Sequence, residues 1–136
     1  ASAEHVEALQ SGEIDVLIST LSVSIEAESR DGLLFAEPLY FSSDAGKPVP
    51  FAPAVRQGDD QWFLVVRWVR NVLLNGDTQN CSDYDRFAGL EKGWACKVLR
   101  DVGNYAEIAT RNIGAGTLTK PNAKVEQGGL LWAPLP

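Results

Sequence analysis

The stretch from Ile14 to Phe41, IDVLISTLSVSIEAESRDGLLFAEPLYF, decides the fold. Ile14, Val16, Leu17 and Ile18 make a short, mostly apolar run after an SGE turn, which predicts a strand covered on both faces. Its C-terminal end delivers Ser19 and Thr20 to the edge where open α/β sheets bind ligands. Ser24 to Arg30 reads as one helical turn or a polar loop. Leu33 to Phe35 reads as a second short strand ending at Glu37-Pro38.

Outward from this stretch, Ala3 to Ser11 is predicted as a short helix with Ser2 as N-cap and Gly12 as its stop. On the other side, SSDAGKPVPFAP (42–53) breaks the composition with Pro48, Pro50, Pro53 and Gly46, the pattern of a loop or hinge. Gly58-Asp59-Asp60 then caps the strongest helix, Gln61 to about Leu74. Trp62, Val65, Val66, Val69, Val72 and Leu73 recur along it at helical spacing, with Arg67, Arg70 and Asn71 assigned to the opposite, solvent side. Beyond Gly76, Tyr84 to Phe87 is expected to form one turn, and Leu90 to Val102 a helix interrupted by Gly93. Tyr105 to Asn112 follows as a helix capped by Asn104, and Leu118 to Pro136 as an extended tail.

The 136 residues, 45% hydrophobic and 22% charged, suit one globular domain. A net charge of −6 and a pI near 4.7 disfavour phosphate backbones and anionic headgroups, so no nucleic-acid partner and no membrane insertion are expected. No uncharged apolar run reaches the roughly 18 residues of a membrane span, and ASAEHVEALQSGE lacks the basic start and apolar core of a signal peptide. His5 is the one histidine, and there is no GxSxG, HExxH, P-loop or Gly-rich dinucleotide turn, so no catalysis and no cofactor are expected. Cys81 and Cys96 stand 15 positions apart without zinc-site spacing. They read either as a disulfide, if the chain is exported, or as two small buried thiols in a reducing compartment. Gly58-Asp59-Asp60 fits a helix cap better than a metal site. The tryptophans at 62, 68, 94 and 132 read as core residues before they read as ligand-stacking ones, with Trp68 the odd one on its helix.

Taken in order, HVEALQSGEIDVLIS, a serine turn, LLFAEPLYF, then VRQGDDQWFLVVRWV and VGNYAEIATRNIG resemble the periplasmic solute-binding proteins of amino-acid ABC transporters, closest to their general L-amino-acid-binding branch. The resemblance implies an α/β fold: a reduced single lobe of a type II periplasmic-binding-protein-like fold, with a short sheet and a helix-rich C-terminal half. It spans nearly all the residues, in patches drawn from the family's first lobe. Where the family inserts a second lobe, this sequence passes through 42–57 directly into the capped helix. The implied organisation is therefore one domain, with 1–41 as the ligand-edge segment, 42–57 as a hinge-like linker and 58–136 as the helical half and tail. Against the family pattern, the first strand, first helix and second strand also have no counterpart in these residues.

What the resemblance implies for the site is an amino-acid grip. By position the family's serine pair falls on Thr20 and Ser22, beside Ser19. The arginine that would fork onto an α-carboxylate is best matched by Arg30, because the family's own arginine position is Ala27 here. The alternative at Ser19, Thr20, Ser22 and Ser24 is that the hydroxyls only cap a turn, and at Arg30 that the charge is merely solvated. The implied function is non-catalytic binding of a small amino-acid-like ligand in the periplasm. The second reading is a self-associating protein, since a strand at Ile14 to Ser19 with unpaired backbone groups invites a homo-oligomer.

Overall fold

The computed structural model describes residues 3–18, 23–114 and 120–136. The chain divides into two compact units, one up to Arg67 and one from Trp68 to Pro136. The division falls within a helix and not in the proline-rich 42–57 stretch, which is largely strand.

In the first unit, helix α1 (Ala3–Ser11) buries Leu9 completely against Leu17, Leu33, Phe35 and Ala54, and Gly12 at φ +86° ends it. Ser24 starts the five-residue α2 (Ile25–Ser29), its hydroxyl accepting from the Ala27 amide at 3.1 Å, so this serine is a helix cap. Strand β1 (Leu33–Phe35) pairs antiparallel with β4 (Ala54–Arg56) in the register Leu33↔Arg56, Leu34↔Val55, Phe35↔Ala54. Ala54 turns its own N–H and C=O the other way, to Leu17, in two bonds of 2.9 Å.

Those two bonds are all that becomes of the expected strand at Ile14–Ile18. Leu17 makes an isolated bridge and is buried, whereas Ile18 is 63% exposed. The physical reason lies in Arg56, whose side chain takes the Ile14 carbonyl at 2.7 Å and the Leu9 carbonyl at 2.8 Å. A guanidinium thus replaces the strand ladder at that end.

The stretch expected as a hinge is a β-hairpin instead, β2 (Tyr40–Asp44) against β3 (Lys47–Phe51). Ala45 and Gly46 close it at φ +49° and +79°, the pair of left-handed residues that a two-residue turn needs to match strand twist. In such a hairpin the closing pair, Asp44↔Lys47, exchanges hydrogen bonds, and alternate pairs do not. Pro48 and Pro50 sit opposite Ser43 and Phe41, the non-bonded pairs, so their missing N–H groups cost the ladder nothing.

Helix α3 (Asp60–Asn75) begins under an Asp59 cap, its carboxylate accepting from the Trp62 amide at 2.9 Å. In its first half Trp62 donates to the Asp15 carbonyl at 3.0 Å, and Arg67 lies over the Phe63 ring while pairing with Glu37 at 2.8 Å.

Within the second unit, Val72, Tyr84, Trp94 and Ala95 form the core, with Trp68, Val98 and Leu99 packed on it. Trp68 is half-buried and packs on this core, edge-on to Tyr84. The assignment of Arg70 and Asn71 to the solvent side is corrected: both are buried. Arg70 donates to the Trp132 carbonyl at 2.7 Å and to the Asn71 side chain, and Asn75 donates to the carbonyls of Ala133 and Pro134 at 3.2 and 3.3 Å. These polar groups tie the extended tail to α3. Their partners lie far away in sequence, beyond the reach of helical periodicity. Upstream in the tail, Lys124 and Leu131 form a parallel bridge, and Gly129 lies so close to the Ala123 backbone that a Cβ would meet its carbonyl at 1.9 Å.

A 3-10 helix, Cys81–Arg86, replaces the expected turn at Tyr84–Phe87, and a disulfide joins Cys81 to Cys96 across a Cα separation of 5.0 Å. Helix α4 (Trp94–Val102) begins four residues later than expected, because Gly93 adopts φ +82° and gives its N–H to Asp85 at 2.8 Å. Helix α5 (Tyr105–Ile113) starts on a complete capping box: the Glu107 amide to Asn104 at 3.0 Å, and the Asn104 amide to Glu107 at 3.1 Å.

Candidate ligand edge

The edge expected to grip a ligand begins where Leu17 leaves β4. Arg56 anchors this approach with three bonds, to the carbonyls of Leu9 and Ile14 and, at 3.0 Å, to the Asp15 carboxylate. Gln57 anchors the far side, its side-chain amide reaching the carbonyls of Glu28 and Leu33, both at 2.7 Å. The last residue of β4 and its neighbour therefore fix the chain on either side of residues 19–23.

Ser19, Thr20 and Ser22 lie outside the described residues. Arg30 lies at the C-terminal cap of α2 with an exposed side chain, and its guanidinium pairs with Asp31, Nε to Oδ1 at 2.9 Å and Nη2 to Oδ2 at 3.4 Å. The hydrogen bond to Asp31 raises the Arg30 pKa, and the same bond holds the Asp31 carboxyl below its ordinary value. Arg30 already has a carboxylate on its fork. A ligand carboxylate would have to displace or share it. Gln10 holds the Asp31 carbonyl at 2.9 Å and so ties this pair to α1.

Arg56 and Gln57 stand in the quoted VRQGDDQW string, yet the family resemblance assigns neither of them to this edge. An Arg-Gln pair between an apolar strand and a helix cap was the available signal. Among the described residues no cluster of histidine, cysteine, aspartate and glutamate could hold a metal ion, and no helix is long and apolar enough to cross a membrane.

The fold is that of a periplasmic binding protein. The structure matches an ABC-transporter periplasmic binding protein from Brucella ovis, solved with glutathione bound, at a TM-score of 0.79 and 22% identity, over 95% of this chain and 78% of that one. In sequence the chain is a homologue of the periplasmic solute-binding proteins of amino-acid ABC transporters. It is 37% identical over 114 residues to the general L-amino-acid-binding periplasmic protein AapJ of Rhizobium johnstonii, 62% of this chain and 33% of that protein. To the putative amino-acid ABC transporter-binding protein YhdW of Escherichia coli K12 it is 30% identical, over 98% of this chain and 47% of the relative. No family model matches.

The chain thus spans between a third and about half of the curated relatives it matches. The second alignment runs over 169 positions against a chain of 136 residues, so the relative has internal segments with no counterpart here.

Proposed function

We propose that this chain, a relative of amino-acid solute-binding proteins, works in the periplasm and binds a small amino-acid-like ligand reversibly and without catalysis. Ser19, Thr20 and Ser22 meet the ligand's ammonium and carboxylate, and Arg30 exchanges Asp31 for the ligand carboxylate. The observation that carries this reading is the Leu17–Ala54 double hydrogen bond, which pins the chain two residues before Ser19 in a homologue of amino-acid-binding proteins. The Cys81–Cys96 disulfide supports the periplasm, because such bonds persist in oxidising compartments.

The test is thermal unfolding with glutamate, aspartate, glutamine and, following the bound state of the structural neighbour, glutathione. A ligand at about 100 times its Kd stabilises by about 2.7 kcal/mol, so one of these raises Tm with a shift that grows with concentration. Arg30→Ala removes the shift. A flat response to the whole panel refutes the reading.

Self-association is a second reading, favoured by one observation. Leu130, Trp132 and Leu135 are each more than half exposed on the tail, while Leu131 and Ala133 between them are buried. An apolar face of this kind suits a second copy. Light scattering that shows a monomer at micromolar concentration would exclude it.

A further inference from the structure

The second unit has a cleft of about 360 Å³, within the size range of small-molecule sites, walled by Trp68, Tyr84, Phe87 and Trp94. The rings meet edge to face, Tyr84 to Trp94 at 6.2 Å and Phe87 to Trp94 at 5.9 Å between centroids. Asp83 and Arg86 also line it. Both stand on the 3-10 helix, where side chains three apart share a face, so a carboxylate and a guanidinium flank one apolar well.

Yet among the described residues neither of these two makes a salt bridge. Among the described residues Arg86 gives its Nε to the Asp83 carbonyl, at 3.3 Å. Asp83 and Arg86 offer one acceptor set and one donor fork beside aromatic walls. That is the complement of a zwitterion with an apolar substituent.

The walls are also held in place before any ligand arrives. Of the aromatic walls, all except Trp68 lie in the loop that the Cys81–Cys96 disulfide closes, and the Trp94 indole donates to the Tyr84 carbonyl at 3.0 Å; Pro136 lines the cleft from outside that loop. A preformed cleft loses little ordering entropy on binding. We propose that this cleft is a second binding site, for a small zwitterion with a branched or aromatic apolar group, an apolar α-amino acid being the simplest case. It shares no residue with the edge expected at residues 19–30 and does not depend on that edge binding anything.

The experiment titrates the full chain with L-leucine, followed by tryptophan fluorescence and calorimetry, alongside glycine and isopentylamine. L-leucine gives a saturable signal. Glycine, without the apolar group, and isopentylamine, without the carboxylate, bind at least tenfold more weakly. Arg86→Gln weakens L-leucine at least tenfold and leaves the far-ultraviolet circular dichroism unchanged, while Arg30→Ala leaves the affinity as it was. Absence of a saturable signal overturns the proposal, and so does equal affinity in Arg86→Gln. Loss of binding in Arg30→Ala, with Arg86→Gln unaffected, assigns the signal to the other edge and equally overturns it. A glutamate, aspartate or glutamine response that Arg30→Ala removes and Arg86→Gln keeps belongs to the other edge, so the two sites fail or stand separately.

Discussion

Leu17 and Ala54 exchange both backbone hydrogen bonds at 2.9 Å, and this one bridge makes a third strand position on a sheet that is otherwise the pair β1 and β4. Ala54 is central: it faces Phe35 on one side, bonds Leu17 on the other, and is almost completely buried. Replacing it by proline deletes the donor to Leu17 and forces a ring into packed space. We expect Ala54→Pro to cost about 3 kcal/mol or more, as proline does inside regular structure, and Ala54→Gly only about 1 kcal/mol. Urea denaturation measures both. Equal costs would mean that the bridge contributes nothing beyond the methyl group.

Local chemistry in the sequence foretold some of this fold well. The Asn104 cap, Gly12 as a helix stop, strand Leu33–Phe35 and the Asp59 cap follow from short-range rules, and each is observed. The failures share a cause, which is that the deciding partner lies far along the chain. Arg70 and Asn71 look like a solvated helix face until the tail carbonyl of Trp132 arrives beside Arg70. Ile14 looks like strand until Arg56 takes its carbonyl. Pro48 and Pro50 hide a hairpin because composition does not show which strand positions point their N–H outward. At the ligand edge the sequence named Arg30, but Asp31 next to it, which occupies the guanidinium, drew no attention.

The disulfide closes a loop that holds the 3-10 helix and the start of α4 together. A bridge spanning 15 positions constrains the unfolded chain by about 3 kcal/mol. The double variant Cys81→Ser, Cys96→Ser is expected to lower unfolding stability by that order. Adding a thiol reductant should then bring the parent to the variant's midpoint while leaving the variant itself unmoved. Denaturant midpoints of the two proteins, each with and without reductant, check this. An unchanged parent midpoint after full reduction, verified by thiol titration, would show that packing of Tyr84 and Trp94 holds the loop without the bond.

Tyr84 is the sharpest test of the second core. Among the described residues its buried hydroxyl has no hydrogen-bond partner in good geometry, although the Asn75 side chain lies near enough to act on it. Burial raises the phenol above its ordinary value of 10.0; Asn75 opposes this and the Asp83 charge adds to it. A group whose folded pKa is raised contributes stability that is complete below the unfolded value and is lost as pH rises through the folded one. The parent should therefore lose stability above about pH 10, because the folded protein resists forming the phenolate that the unfolded chain forms freely. Tyr84→Phe removes an unsatisfied hydroxyl together with that titration. At neutral pH it should match the parent within about 1 kcal/mol or exceed it, and above about pH 10 it should lose less stability than the parent does. Urea unfolding of both proteins at neutral pH and at about pH 10.5 decides it. A neutral-pH loss of more than about 2 kcal/mol would mean that the hydroxyl holds a strong bond, and parallel losses at high pH would assign the alkaline transition to other groups.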